Sequence, residues 1–425
     1  MKMDFKIFYL IYLLKIVFCD KEKVNEIENL LNWAKKKKIY INPLLQLNPI
    51  NGEHNLPYFT SKEKIPNNIT LISIPEKMLI NQNLFTKTFQ NNTKSKYNGL
   101  WEKILKLDNP YINYYSTKEL FYMATIIEHF MRTKKGKLYH LFGKYFDLYQ
   151  YTNLDNFPIF YSKEEIEFLY STNIYEEIKR GLDSIENEQK ILMDTLEFVS
   201  ADQEAFLKYR VLILSNSINI DNITYFIPFL DLFKRNVFEI ESDVNYKFDN
   251  ISHTFNITSI KNIDKDKELI IQMKQIPNKA LLMYFGYTCE NNNFIGSYQI
   301  ETLNNLMRKR LNLEDWIKPI IQTYDISDPE FIEKMIPTYL ELKLKIKEYL
   351  TNPIGEYILM KDNLQDYLNL YNRFTDGKYN EVFYGNQKII NVKRVINLEK
   401  KLIELRLKHL NDVINKKIKD KKDDL

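Results

Sequence analysis

The chain has 425 residues, enough for two or three domains of roughly 150 residues each. Apolar residues make up 44% and charged residues 27%. These values lie close to the globular averages of about 45–50% and about 25%, which excludes wholesale disorder and a multispan membrane protein. The net charge of +4 falls short of the strongly basic footprint of a dedicated nucleic-acid binder, so no nucleic-acid partner is predicted.

Glycine is scarce, with only 10 copies in the whole sequence. The two closest, Gly136 and Gly143, lie seven positions apart. Phosphate-binding loops need glycines much closer together, because the backbone must approach the phosphate without a Cβ in the way. The sequence therefore excludes a Walker A loop and a Rossmann dinucleotide fingerprint.

The first residues, MKMDFKIFYLIYLLKIVFCD, follow the order of a secretory signal peptide. Early lysines precede an apolar stretch from Ile7 to Leu14, and Val17 and Cys19 stand at positions that a signal peptidase accepts. The stretch is shorter than the ~20 apolar residues of a spanning helix. Residues 1–19 are therefore predicted to be a signal peptide, and no stable membrane span is predicted. An uncleaved anchor and a buried first helix are the alternatives.

The predicted charged tail, residues 416–425, ends in the sequence KDDL. This differs from the retention sequence K-D-E-L by one exchange of carboxylates. Together with a signal peptide it predicts a protein of the secretory pathway that is retained in the lumen of the endoplasmic reticulum. A frayed charged tail after a long helix is the alternative.

Asn-x-Ser/Thr sequons begin at Asn68, Asn91, Asn222, Asn250 and Asn256. Such triplets mark glycosylation acceptors in secreted proteins, but they also arise readily by chance in an Asn-rich sequence. Cys19 would leave with the signal peptide, so the mature chain would carry Cys289 alone and no internal disulfide.

The first half of the chain mixes strand and helix patterns. Residues 58–75 alternate like strands with a turn at Pro66 to Asn68, and the polar stretch 81–97 is predicted to be a loop. Capping boxes at Ser116 with Glu119 and at Ser162 with Glu165 begin helical segments. They predict a helical insert at about 116–216.

The second half becomes increasingly helical. Strand character returns at 224–230 and 268–271, and the pattern is helical from about Gln299. The last helix, from about Val392, carries two apolar stripes and therefore should pack on two sides. The predicted fold class is α+β, with a sheet-containing domain over residues 24–297 and a helical domain over residues 298–415.

Metal and nucleophile chemistry find little support in the sequence. The five histidines show none of the spacings of a zinc site, so no metal centre is predicted. Cys289 has no neighbouring histidine in sequence and is expected to act as a small apolar filler.

Several local sequences occur in a fixed order. They are NITLISIP at Asn68–Pro75, PIFYSKEEIEFLYST at Pro158–Thr172, FIPFLDLFKRN at Phe226–Asn236, NKALLMYFGYTCENN at Asn278–Asn292 and VKRVINLEKKLIEL at Val392–Leu405. In this order they resemble the SET-domain family of the Rubisco large-subunit lysine methyltransferase type, which includes actin-histidine methyltransferases. The resemblance covers about Leu30 to Leu410.

This resemblance implies a SET fold of short β-sheets interrupted by the helical insert and followed by an all-helical domain of the substrate-binding type. It also implies S-adenosylmethionine as the cofactor of an active member, and a protein substrate or partner bound through the C-terminal helical domain.

The sequence departs from the family where the amino-acid end of the cofactor binds. The family has Asn-His after FIPFLDLF, and here these positions are Lys234 and Arg235. The cofactor carries an ammonium and a sulfonium, so a lysine about 4 Å away would cost about 1–4 kcal/mol, depending on the effective dielectric. The family's Ser-Arg after the insert corresponds to Ser215 and Asn216, so an arginine is missing there.

The catalytic position is also replaced. The family's Tyr-Gly, where methyl transfer occurs, aligns with Met273 and Lys274, and a thioether cannot replace the hydrogen bonding of a phenol. The Gly-x-Gly cofactor turn retains only Gly52. The element that lies against the adenine region in the family is retained as Phe285, Gly286 and Tyr287.

Because the cofactor and catalytic elements are replaced while the core motifs survive, the primary prediction is a protein-binding pseudoenzyme, and S-adenosylmethionine is predicted as the cofactor only if the chain is active. The alternative is an active S-adenosylmethionine-dependent protein-lysine or histidine N-methyltransferase. In that case the residues Phe285 to Tyr287 and Ser215 would contact the cofactor. A purely structural helical scaffold is the third possibility.

Overall fold

The structure is a computed structural model that divides into two units. Unit 1 comprises Met1–Leu154 and Asp183–Met273, and unit 2 comprises Asp155–Leu182 and Lys274–Leu425. The structure describes residues 26–49, 56–90, 100–106, 118–152, 154–170, 172–190, 203–221, 223–237, 242–272, 276–296, 323–325, 361–362, 364–366, 368–374, 376–383 and 385–423. The predicted signal peptide, Ser116, Gly52, Met273, Lys274 and the final two residues lie outside the described residues.

Unit 1 is built around short strands. They are β1 Tyr40–Ile41, β2 Leu45–Asn48, β3 Tyr58–Ser61, β4 Thr70–Pro75, β5 Ile80–Asn81, β6 Ser217–Ile220, β7 Ile223–Phe226, β8 Lys234–Asn236, β9 Val244–Asp249, β10 Thr254–Ser259 and β11 Ile270–Gln272. Six form one sheet in the order β1-β4-β10-β9-β11-β8, in which β11 pairs in parallel with both β8 and β9. Two smaller sheets have the orders β5-β7-β6 and β2-β3.

The central strands of the six-stranded sheet are two-faced, because successive side chains of a strand point to opposite sides. Ile72, Ile74, Phe255 and Ile257 are fully buried on one face. The other face carries polar residues such as Asn256, which pairs with Lys247 of β9. The strands and the turn predicted for residues 58–75 are confirmed by β3, β4 and the turn between them.

The helices of unit 1 are α1 Gln82–Gln90, α2 Leu100–Leu105, α3 Lys118–Thr133, α4 Gly136–Phe146 and α7 Gln203–Asn216, and residues 26–36 are also helical. The strand predicted at 224–230 ends earlier, at Phe226, and a 3-10 turn follows at Leu230–Leu232. This turn carries the Asp231 side chain into the interior of unit 1.

The loop predicted over residues 81–97 was wrong at its beginning, where α1 forms. The Asn81 side chain accepts a hydrogen bond from the backbone N–H of Leu84 at 2.8 Å, which caps the helix. Phe85 is fully buried. The prediction followed the polar composition of the segment and overlooked that its apolar residues, Leu84, Phe85 and Phe89, have helical spacing.

The helices of unit 2 are α5 Lys163–Phe168, α6 Asn173–Lys190, α8 Asn278–Phe285, α9 Asp376–Val382 and α10 Asn386–Asp423, with α6 continuing along the chain into unit 1. Strands β12 Phe294–Gly296 and β13 Thr323–Asp325 pair antiparallel. The predicted capping box of Ser162 and Glu165 is confirmed, since both of its hydrogen bonds are present. Within the described part of the chain, no helix is long and apolar enough to cross a membrane.

The long helix α10 has both of its apolar stripes buried, as predicted. They include Val395, Leu402, Ile403 and Leu410. Glu399 and Arg406, which lie between the stripes in sequence, are buried as well, each with about 1% of its surface exposed. The mixed α+β architecture with a helical C-terminal part matches the predicted fold class.

Candidate functional site

The segment FIPFLDLFKRN of unit 1 is fixed by a buried hydrogen-bond network around Asp231. The hydroxyl groups of Tyr145 and Tyr149 donate to the two carboxylate oxygens of Asp231. Tyr145 also accepts a hydrogen bond from the backbone N–H of Phe229 at 2.7 Å. Phe229 has a left-handed φ of 70°, so helix α4 and the 3-10 turn Asp147–Tyr151 hold an unusual backbone turn in place.

Burial raises the pKa of Asp231 to about 6, while the Tyr145 hydroxyl and the Arg235 guanidinium act in the opposite direction. Burial also raises the pKa of Tyr145 well above its ordinary value, and the neighbouring Asp231 carboxylate adds to the effect. The tyrosine therefore stays a neutral donor. This network positions the segment that resembles the family's cofactor-binding sequence.

Arg235 is half-buried and makes two hydrogen bonds to the end of helix α7. Its guanidinium donates to the backbone carbonyl of Ser215 and, at 2.7 Å, to the side-chain oxygen of Asn216. The carboxyl end of a helix carries a partial negative charge, which favours a cation there. Arg235 is therefore stabilised at this helix end, and its charge also lowers the pKa of the buried Asp231 carboxyl.

Lys234 contacts Glu268 instead of the end of α7, and it is more exposed than Arg235. Its Nζ atom lies 3.2 Å from Oε2 of Glu268, and 53% of its side-chain surface is exposed. Its backbone N–H donates to the carbonyl of Leu269, as expected for a strand. An exposed pair of this kind contributes little to stability.

Among the sequence-predicted site residues of unit 1, the structure brings Ser215 and Arg235 into direct contact. Ser215 is buried, and its hydroxyl donates to the carbonyl of Leu212 at 3.1 Å. Met273, at the family's tyrosine position, lies outside the described residues.

The retained aromatic-Gly-aromatic element lies in unit 2, at the end of α8. Gly286 has a left-handed φ of 72° and caps the helix, with its N–H bonded to the carbonyl of Leu282 at 3.1 Å. The Phe285 and Tyr287 rings flank it with centroids 6.3 Å apart. A Cβ placed on Gly286 would lie 2.8 Å from the ring of Phe157, so packing alone accounts for a glycine here.

This packing gives a direct test. We expect Gly286→Ala to lower the free energy of unfolding of unit 2 by about 1–3 kcal/mol from backbone strain alone, with a further loss from the clash with Phe157. Gly385→Ala is the matched control, because Gly385 also has a left-handed φ, of 96°, but a Cβ there meets nothing within 4 Å. Equal losses in urea unfolding of the two variants would contradict the role of Phe157.

Helix α10 anchors the Gly286 segment through Asn391, which is fully buried. The Asn391 side chain donates to the carbonyl of Gly286 at 3.3 Å and accepts from the hydroxyl of Thr288 at 2.9 Å. Arg394 donates to the carbonyl of Thr288 at 3.2 Å. The C-terminal helix and the retained element are therefore parts of one hydrogen-bonded assembly within unit 2.

Sequence reasoning missed the residues that hold these two segments. Asp231 and Asn391 are the central ones, and each was available as a polar residue inside an apolar pattern. A buried polar side chain requires hydrogen-bond partners, so such a position indicates a structural network. The tyrosines that supply those partners to Asp231 lie more than 80 positions away, and nothing local pointed to them.

The unit 1 residues do not fit the ammonium end of S-adenosylmethionine. The acceptors at this position are the carbonyl of Ser215 and the amide oxygen of Asn216, and the Arg235 guanidinium already donates to both. A second cation beside it would meet like charge. The element Phe285, Gly286 and Tyr287 of unit 2, in contrast, keeps the aromatic-Gly-aromatic sequence of the family. Among the described residues no cluster of potential metal ligands is present.

No protein-family model and no curated protein sequence matches the chain. Solved structures do match. The SET domain of LSMT bound to lysine and AdoHcy has a TM-score of 0.60 at 11% identity, over 93% of this chain and 92% of that one. Rubisco LSMT bound to AdoMet has a TM-score of 0.60 at 12% identity, over 92% of each chain. The chain therefore has the SET-domain fold of the Rubisco LSMT structures.

Proposed function

We propose that this chain is a SET-fold pseudoenzyme that binds a protein partner and does not transfer methyl groups. The observation that carries the proposal is the position of Arg235, whose guanidinium takes the two acceptors at the end of α7. Similar structures are those of proteins bound to AdoMet or AdoHcy. The replacement of the family's neutral pair by Lys234 and Arg235 therefore affects a position at which the fold would bind that cofactor.

Calorimetry with the purified chain tests the proposal. We expect no binding of S-adenosylmethionine or S-adenosylhomocysteine at millimolar ligand. The variant Lys234→Asn, Arg235→His, Met273→Tyr, which restores the family's residues, should gain measurable affinity. Because that variant also loses two positive charges, the control is Lys234→Asn with Lys247→Asn, which removes two exposed lysines of unit 1 and retains Arg235.

The outcome that overturns the proposal is methyl transfer by the unaltered chain. A radiometric assay with S-adenosylmethionine and a mixture of proteins would detect it. Transfer that is lost on Tyr287→Ala, in the element that would contact the cofactor of an active member, would assign the activity to this chain. The active methyltransferase remains the second candidate because Phe285, Gly286 and Tyr287 keep the family's element at the end of α8.

The proposal extends to location and partner. Residues 1–19 and the final KDDL support a luminal protein of the endoplasmic reticulum. In secretory cells the full chain should be retained, and deletion of residues 422–425 should release it into the medium. Asp424→Glu, which creates K-D-E-L, should be retained to the same level as the full chain. We further propose that the C-terminal helical domain binds the protein partner, as the resemblance implies.

A further inference from the structure

We propose that Asn250 is an N-glycosylation acceptor, a proposal that rests on the luminal location proposed above. Asn250, Ile251 and Ser252 form a sequon in the turn between strands β9 and β10. All three residues are exposed. An N-linked oligosaccharide is bulky and needs a surface position of this kind.

The turn is held without the Asn250 side chain. One carboxylate oxygen of Asp249 accepts from the N–H of Ile251 at 2.9 Å, and the other accepts from the Ser252 hydroxyl at 2.6 Å. The Ser252 hydroxyl also lies 2.7 Å from that of Thr254. Modification of the Asn250 amide would therefore break none of the hydrogen bonds that shape the turn.

Ile251 supplies a second observation. It is 94% exposed, more than any other large apolar side chain among the described residues, and it stands beside the acceptor. A lone apolar side chain at the tip of the β9–β10 hairpin gains nothing from packing. An oligosaccharide on Asn250 would cover it, which gives the residue an environment that the bare protein does not.

Two other sequons of unit 1 are less suited to glycosylation. Asn256 lies in the centre of β10 between β4 and β9, and its side-chain oxygen accepts from the Thr254 hydroxyl at 3.2 Å. Asn68 is exposed, but its backbone is docked on Ser259, which accepts its N–H at 3.0 Å. The sequons at Asn91 and Asn222 lie outside the described residues.

The reaction requires an oligosaccharide carried on a lipid diphosphate, together with a luminal transferase. The Asn250 Nδ2 atom attacks C1 of the sugar, so that a C1–N bond forms as the C1–O bond to the diphosphate breaks. The lipid diphosphate leaves with the bonding electrons, and the amide gives up one proton. No oxidant or reductant is needed.

The test uses the full chain expressed in animal cells, with a version that carries a flexible extension containing a consensus sequon after Leu425. The extension reports luminal entry. We expect a glycosidase-sensitive shift in electrophoretic mobility. Asn250→Gln and Ser252→Ala should each lose one step of that shift, and Asn256→Gln should retain it. Mass spectrometry should find Asn250 converted to Asp by the glycosidase.

Two outcomes overturn the proposal and can be told apart. If the extension is modified while Asn250→Gln migrates like the unaltered chain, the glycosylation proposal fails and the luminal location stands. If the extension is also unmodified, the luminal location fails and the acceptor proposal falls with it. Asn250 is exposed, so its replacement should leave urea unfolding unchanged, and a loss of signal cannot be assigned to misfolding.

Discussion

Replacing Glu188 with alanine is expected to destabilise unit 1 by about 3–5 kcal/mol. Glu188 of α6 and Arg210 of α7 form an ion pair in which both side chains are fully buried. The Arg210 guanidinium donates through Nε and through Nη2, the latter at 2.7 Å, to the two carboxylate oxygens. Removing the carboxylate takes away the counter-charge with which this buried cation is paired, and that is the source of the large expected loss.

Urea unfolding followed by tryptophan fluorescence, to which Trp33 and Trp101 of unit 1 contribute, measures this effect. Glu186→Ala is the matched control on the same helix. Glu186 pairs with Lys190 at 2.9 Å, but the two side chains are 67% and 58% exposed, so we expect a loss of about 0.5 kcal/mol or less.

A double replacement separates the buried charge from packing. Glu188→Leu combined with Arg210→Met removes both charges and retains apolar volume. Since well-packed apolar pairs often match buried ion pairs in stability, we expect the double variant to recover most of the loss of Glu188→Ala. A double variant as unstable as the single one would show that packing, and not charge compensation, sets the cost.

Much of the fold could be predicted because its determinants are local in sequence. Three correctly predicted features depend on residues that are close together in sequence. They are the turn at Pro66 to Asn68, the capping box of Ser162 and Glu165, and the two apolar stripes of α10. Helix α1 was missed because its segment is polar on average, which hid both its cap, Asn81, and the helical spacing of Phe85 and Phe89.

The candidate site was harder to predict, since its geometry depends on distant partners. The sequence identified Lys234 and Arg235 as replacements, but it could not show that Arg235 bonds to Ser215 and Asn216, about 20 positions away. Nor could it show that Lys234 turns to Glu268. The two adjacent residues, which the sequence analysis placed together at the amino-acid end of the cofactor, therefore make two separate interactions.

A contact with a residue distant in sequence also changes the interpretation of Gly286. The sequence treated it as a retained cofactor element, and the structure adds a packing reason, the close approach of Phe157 to a left-handed turn. A glycine that is needed for packing survives whether or not a cofactor binds. Its retention therefore does not by itself favour the active enzyme over the pseudoenzyme.

Glu399 of α10 is expected to make the stability of unit 2 depend on pH. Its carboxylate accepts from the Tyr371 hydroxyl at 2.6 Å and is fully buried. Its pKa is raised to about 7, mainly by burial and also by the charge of Glu177, and against the opposing effects of Tyr371, Lys279 and the backbone amide of Asn173. Lys279 is itself paired with Glu177 at 3.2 Å.

The direction follows from proton binding. The folded state binds the proton of Glu399 more tightly than the unfolded state, whose pKa is near the ordinary value of 4.5. Glu399 is therefore best tolerated below pH 4.5, where it is neutral in both states. The free energy of unfolding of unit 2 should therefore fall as the pH rises from 4.5 to about 7. The slope is about 1.4 kcal/mol per pH unit, and the total loss is about 3 kcal/mol.

Hydrogen exchange of peptides from α8 and α10, corrected for the intrinsic exchange rate at each pH, measures the opening free energy of unit 2. The variant Glu399→Gln keeps an acceptor for the Tyr371 hydroxyl and carries no charge. The difference in opening free energy between the unaltered chain and this variant should therefore change steeply between pH 4.5 and 7 and stay constant above pH 7. Tyr371→Phe removes a hydrogen bond that favours the charged carboxylate, so its sloping region should extend above pH 7. A difference between the unaltered chain and Glu399→Gln that stays constant with pH would show that the buried carboxyl does not titrate in this range.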